Sequence, residues 1–183
     1  MFSANNSLRA CAVLAVSFLS TMLHADGLQR FPQLEATNLA GRTLKLPADF
    51  GSPAALVFVA FTMKQQSDID AWAVFVDRVR QNWPTLAVWE LPTIGSGYKF
   101  MRGIIENGMR SGIKSQSARE STVTLFVDAE AFAKSIGASS LGEIAVLVVA
   151  PDGSILGRVS GRPDPAAESA LQTALETAFP KKR

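Results

Sequence analysis

The residues of this chain that could do chemistry are few, and their types exclude more than they suggest. Among 183 residues there is one cysteine, Cys11, and one histidine, His24. Both lie in the first 25 residues, so a chain cut after Ala25 contains neither. That excludes a thiolate nucleophile, imidazole acid–base catalysis, a Ser-His-Asp triad, internal disulfides and the usual zinc ligand sets. Carboxylates, lysines and a single tyrosine remain. Asp68 and Asp70 stand close in sequence, but residues two apart on a helix do not face each other. They read as charges that favour a helix N-terminus. Gly95-Ser96-Gly97-Tyr98 follows a strand and precedes a helix, yet lacks the further glycine of a dinucleotide loop. Thr62 and Ser67 read as a turn residue and a cap, with no base nearby in sequence.

The element that would position any such group is the run at residues 54–66, Ala-Ala-Leu-Val-Phe-Val-Ala-Phe-Thr-Met-Lys-Gln-Gln. Residues 54–61 carry no charge and are rich in aromatic and β-branched side chains, as a strand covered on both faces requires. The strand should run into a turn and then a helix. Free backbone N–H groups and the helix dipole would then point at whatever binds there. The turn itself holds Met63, Lys64, Gln65 and Gln66, none of them a good nucleophile or general base.

Residues 1–25 have the pattern of an export signal: Arg9 near the start, apolar or small residues over 10–22, and Ala25 before the cut. The apolar run falls short of the roughly 20 residues a spanning helix needs, so a cleaved signal is expected rather than an anchor. The remaining 26–183 form one domain, large enough for a core of its own. With 48% hydrophobic and 19% charged residues it should be folded. A net charge of +2 gives no nucleic-acid footprint. Lys181, Lys182 and Arg183 read as a solvated tail.

Along the chain, 31–34 and 39–46 suggest a small hairpin with Leu44 and Leu46 on one face. After the central strand, Ser67 and Asp70 resemble a capping box opening a helix that stops before Pro84. Residues 86–91 form the second strand, ended by Pro92. Residues 98–111 form a second helix, its Met101, Ile105 and Met109 inward with Phe100 and Ile104 beside them. Lys99, Arg102, Glu106 and Arg110 fall on the other side. The stripe reads as core packing, or as a grip for a hydrophobic partner. A polar loop at 112–120 precedes a third strand at 122–127 and a short helix capped by Asp128. Strands at 144–150 and 155–160 join through Pro151-Asp152-Gly153. Asp164-Pro165 opens the last helix.

This order predicts an α/β fold with a central mixed five-stranded sheet flanked by helices, plus the N-terminal hairpin. Right-handed crossovers place the second and third strands on one side of 54–61. The late hairpin fills the other side, its first strand antiparallel. Val57-Phe58-Val59-Ala60-Phe61 resembles the strand that precedes the redox motif in thioredoxin-like and peroxiredoxin-like proteins. The run 148–155, followed by Gly161, is similar to their late hairpin, and 128–137 to the short helix after their third strand. Ile104-Ile105-Glu106-Asn107-Gly108 and 142–161 resemble the thioredoxin-like assembly factors of the mitochondrial ATP synthase.

The resemblance implies a thioredoxin-like fold. Its Cys-x-x-Cys falls on Met63, Lys64, Gln65 and Gln66, and its cis-proline near Ile144. With no cysteine there, the expectation is a non-catalytic exported protein without cofactor or metal. Its expected partner is a protein of a membrane complex, held at Met63, Lys64, Gln65, Gln66 and Ile144. The alternatives are an oxidoreductase-like enzyme that has lost its motif, or a structural subunit of an envelope complex.

Overall fold

The structure, a computed structural model, describes residues 29–180. The expected export signal at 1–25 lies outside them. Two sheets are present. A small antiparallel one pairs β1 (Leu34–Thr37) with β2 (Thr43–Leu46). The main sheet has five strands in the order β5-β4-β3-β6-β7. Its strands are β3 (Ala55–Ala60), β4 (Ala87–Gly95), β5 (Leu125–Val127), β6 (Ala145–Val149) and β7 (Ile155–Ser160). β3 pairs parallel with β4 and β4 with β5, whereas β6 runs antiparallel to both β3 and β7. The expected topology is the observed one.

β3 is central because every residue in it is buried. Its alternate side chains divide the core. Ala55, Val57 and Val59 face the hairpin and α5 (Ala129–Ser135), packing with Leu44, Leu46, Phe50 and Phe132. Leu56, Phe58 and Ala60 face α2 (Ala73–Asn82) and α6 (Pro165–Ala178), packing with Trp72, Phe75, Val79, Leu171 and Leu175. Each large side chain so buried contributes about 1.5–3 kcal/mol. An exposed pair such as Arg30–Asp152 contributes far less, because water screens it. The two sheet faces hold the fold together.

The segment after β3 differs from the expected continuous helix. A 3-10 turn at Met63–Gln65 leads into α1 (Gln66–Asp70), the helix breaks at Ala71 and Trp72, and α2 follows. Trp72 explains the break. Its indole is fully buried and Nε1 donates to the Gly161 carbonyl at 3.0 Å, so tertiary packing sets the local backbone. The cap also moves: Gln65, not the Ser67–Asp70 pair, closes the N-terminus.

Pro92 does not end β4. Its partner on one side is Ala60, the last residue of β3. On the other side it falls between the Glu90–Thr122 bridge and the ladder that starts at Thr93–Leu125. A residue without an N–H fits such a gap. The expected polar loop at 112–120 contains α4 (Gln116–Ser121), capped by Ser115, whose hydroxyl accepts from Ala118 N at 3.3 Å. The third strand is correspondingly shorter than expected.

Between β4 and β5 lies α3 (Arg102–Gly112), entered through a 3-10 turn at Ser96–Met101. The expected stripe of Met101, Ile105 and Met109 is half-buried, but the residues expected on either side of it are corrected. Glu106 is buried, while Phe100 is 83% and Ile104 71% exposed. Arg110 sets this rotation, since its Nε donates to the Leu39 carbonyl at 2.8 Å and another nitrogen reaches Glu106 at 3.3 Å. Arg102 lies 3.6 Å from the same carboxylate and stacks over Phe126.

Candidate functional site

The parallel strands β3 and β4 both end at one edge of the sheet, where free N–H groups gather. Gln65 fills that position. Its Oε1 accepts from Phe61 N at 2.7 Å and from Thr62 N at 3.2 Å, and its Nε2 donates to the Leu141 carbonyl at 2.9 Å. The side chain is buried. Its three bonds use both ends of the amide. They tie the end of β3 to the segment that leads into β6.

The sequence-derived candidates therefore separate. Met63, 96% exposed, and Lys64 present their side chains to solvent. Gln66 is exposed too, and its Nε2 donates to Asp70 Oδ1 at 3.0 Å. Gln65 offers no surface, because its polar atoms are consumed internally. Ile144 is fully buried in the core cluster that also holds Ala60 and Trp72, so its side chain cannot meet a partner. Only its backbone is engaged, its carbonyl accepting from Gly161 N at 2.9 Å.

Next to Gln66 lies a cleft of about 940 Å³ that the sequence did not reveal. Leu86, just before β4, with Val88 and Glu90 of β4 form its floor, Asp70, Ala73 and Val76 one wall, and Ser117 and Glu120 of α4 the other. Arg42 and Arg80 also line it. Glu90 alternates with Val88 on the sheet face that carries Phe58, so the strand forces a carboxyl into an apolar layer. Burial pushes its pKa above the ordinary value, the Asp70 charge adds to that rise, and the Gln66 side chain opposes it. The pattern around Glu90, Trp-Glu-Leu-Pro, carried a signal in principle: a lone acid inside a strand meant to be buried on both faces.

Chemically, this edge can bind more readily than react. Residues 29–180 contain neither cysteine nor histidine, so thiolate chemistry has no atom to start from. Lys64 supplies a cation outside the cleft, and Glu90 and Asp70 supply acceptors within it.

No protein-family description matches the sequence, and no curated protein matches it either. Solved structures do. The exposed lipoprotein thioredoxin Etrx1 of Streptococcus pneumoniae is 17% identical, over 79% of this chain and 99% of its own, with a TM-score of 0.52. A thiol-disulfide oxidoreductase of Bacteroides fragilis is 15% identical, over 80% and 98%, with a TM-score of 0.50. BsSco, a member of the Sco family of cytochrome c oxidase assembly proteins, is 11% identical, over 84% and 95%, with a TM-score of 0.52. These identities speak for the shared architecture alone. The chain has a thioredoxin-like fold, with Met63, Lys64, Gln65 and Gln66 in the turn after its central strand and its single cysteine elsewhere, at position 11.

Proposed function

We propose that this is an exported, non-catalytic thioredoxin-fold protein that binds a protein partner at the edge formed by Met63, Lys64, Gln66 and the adjoining cleft. The partner belongs to a membrane-associated complex whose assembly the protein assists. The observation that carries the reading is the state of Gln65. The turn after the central strand is closed by a satisfied amide, which leaves a cation and an acid-floored cleft as the accessible chemistry. Export follows from the pattern of residues 1–25, with a cut after Ala25. Shared architecture with a cytochrome c oxidase assembly protein is compatible with an assembly role.

The test is crosslinking and mass spectrometry in the native envelope, comparing the parent with a Lys64→Glu, Gln66→Trp double variant. The expected result is lower partner recovery at an unchanged melting temperature. Equal recovery would overturn the binding site. Reduction of insulin or consumption of peroxide above a denatured control would overturn the non-catalytic reading.

A further inference from the structure

The segment between β4 and β5 keeps Met101, Ile105 and Met109 half-buried but leaves Tyr98, Phe100 and Ile104 in solvent, and the site just described does not use them. Phe100 and Ile104 lie four residues apart, hence on one face of the turn into α3. They are 83% and 71% exposed, and Tyr98, two residues before Phe100 in the same turn, is 55% exposed. Gly103 and Gly108 leave the ridge flanked by bare backbone. Lys99 borders it in solvent, and Arg102 borders it half-exposed, its guanidinium turned toward Glu106 and Phe126. Lys114 is exposed just past the helix end. The helix's one acid, Glu106, is turned inward against Arg102 and Arg110. The outer face is thus apolar at its crown and cationic at its margins.

We infer that the Tyr98-Phe100-Ile104 ridge docks the protein on an anionic lipid bilayer surface. Two observations favour a membrane over a protein. Aromatic and aliphatic side chains above a border of Lys and Arg match an interface whose headgroups are negative and whose interior is apolar. The exposed area is also small. Three such side chains present on the order of 400 Å², from full areas of about 150–250 Å² each. A stable protein interface takes about 800 Å² per partner. A narrow convex ridge enters a deformable bilayer more readily than it fills a rigid pocket. The segment Ser96–Met101 with α3 would lie in the interface plane, Phe100 and Ile104 below the headgroups and Lys99 at their level.

The test uses the full chain with phosphatidylcholine vesicles, with and without phosphatidylglycerol. Residues 1–28 include an apolar run, so the readout must be local to the ridge. In a Phe100→Trp variant, the new emission should shift to the blue and be quenched by brominated lipid when phosphatidylglycerol is present. A Phe100→Ser, Ile104→Ser double variant should partition about tenfold or more weakly, the factor that about 1.4 kcal/mol represents, with the same melting temperature as the parent. Absence of the blue shift on phosphatidylglycerol vesicles overturns the proposal, as does equal partitioning of the double variant. A shift that grows with protein concentration without lipid also overturns it, assigning the ridge to a second copy of the chain. Equal binding to pure phosphatidylcholine removes the role of Lys99 and Arg102. None of these outcomes depends on Lys64 or Gln66, so the partner-binding reading stands or falls separately.

Discussion

Gln65 donates its amide to the carbonyl of Leu141, 76 residues away, across 2.9 Å. One side chain thereby joins the end of the central strand to the approach of β6, and its oxygen simultaneously caps the turn at Phe61 and Thr62. The position next to it, Gln66, carries the same side chain in solvent, where it bonds Asp70 of its own helix and reaches the Glu90 carboxyl.

That contrast predicts unequal costs. Gln65→Ala should destabilise the protein by about 1–3 kcal/mol, since buried donors and an acceptor lose their partner. Gln66→Ala should stay within about 0.5 kcal/mol. Chemical denaturation of both variants checks this; equal midpoints would show that the Gln65 bonds are not maintained in solution.

Glu90 predicts a pH dependence with a definite sign. Burial and Asp70 raise its folded pKa, so the folded state binds this proton more tightly than the unfolded state does. Its contribution to stability is therefore fully present below the unfolded value and is lost as pH rises through the folded one. Glu90→Gln removes the penalty of an ionised carboxylate and should melt higher than the parent at neutral pH. The gap should close in acid, and a gap that is constant with pH would contradict it.

Gly157 of β7 and Ala174 of α6 face each other where the helix packs on the sheet. A Cβ on Gly157 would stand 2.6 Å from the Ala174 Cβ. Gly157→Ala should cost about 1–3 kcal/mol through overpacking. Adding Ala174→Gly should recover part of the loss, a non-additivity that a double-mutant cycle reads directly.

Glu106 predicts the reverse of what a buried charge usually suggests. Both arginines that face it stay partly in water, with side-chain exposures of 46% and 35%. Removing the carboxylate strands neither of them. One of its oxygens, Oε1, is buried without a hydrogen bond. Glu106→Met should therefore be neutral within about 1 kcal/mol or stabilising. Arg110→Ala also breaks the bond to Leu39, and thermal melts should show it to be the worse of the two.

The comparison of sequence and fold turns on these same residues. The uncharged run at 54–61 could only be a strand covered on both faces, and the strand–helix order then left one sensible sheet. The hairpin turn was equally local: Gly153 takes φ +91°, while Asp152 Oδ1 accepts from Ser154 N at 2.9 Å. The absence of cysteine and histidine after His24 is likewise a property of composition, independent of any coordinate.

The sequence by itself thus determined the α/β order, the position of the central strand and the chemistry that residues 29–180 cannot perform. Each rests on hydrophobic periodicity, turn stereochemistry or the atoms present. Tertiary structure alone decided which of four consecutive turn residues is buried, because that depends on Leu141 arriving from another strand. It also decided which residues flank the half-buried Met101-Ile105-Met109 stripe of α3, Glu106 on its inner side and Phe100 and Ile104 in solvent. Arg110 is anchored on the Leu39 carbonyl, a contact that the helix's own periodicity does not contain. Glu90 belongs to the same class: its cleft exists only where α2 and α4 stand apart over β4.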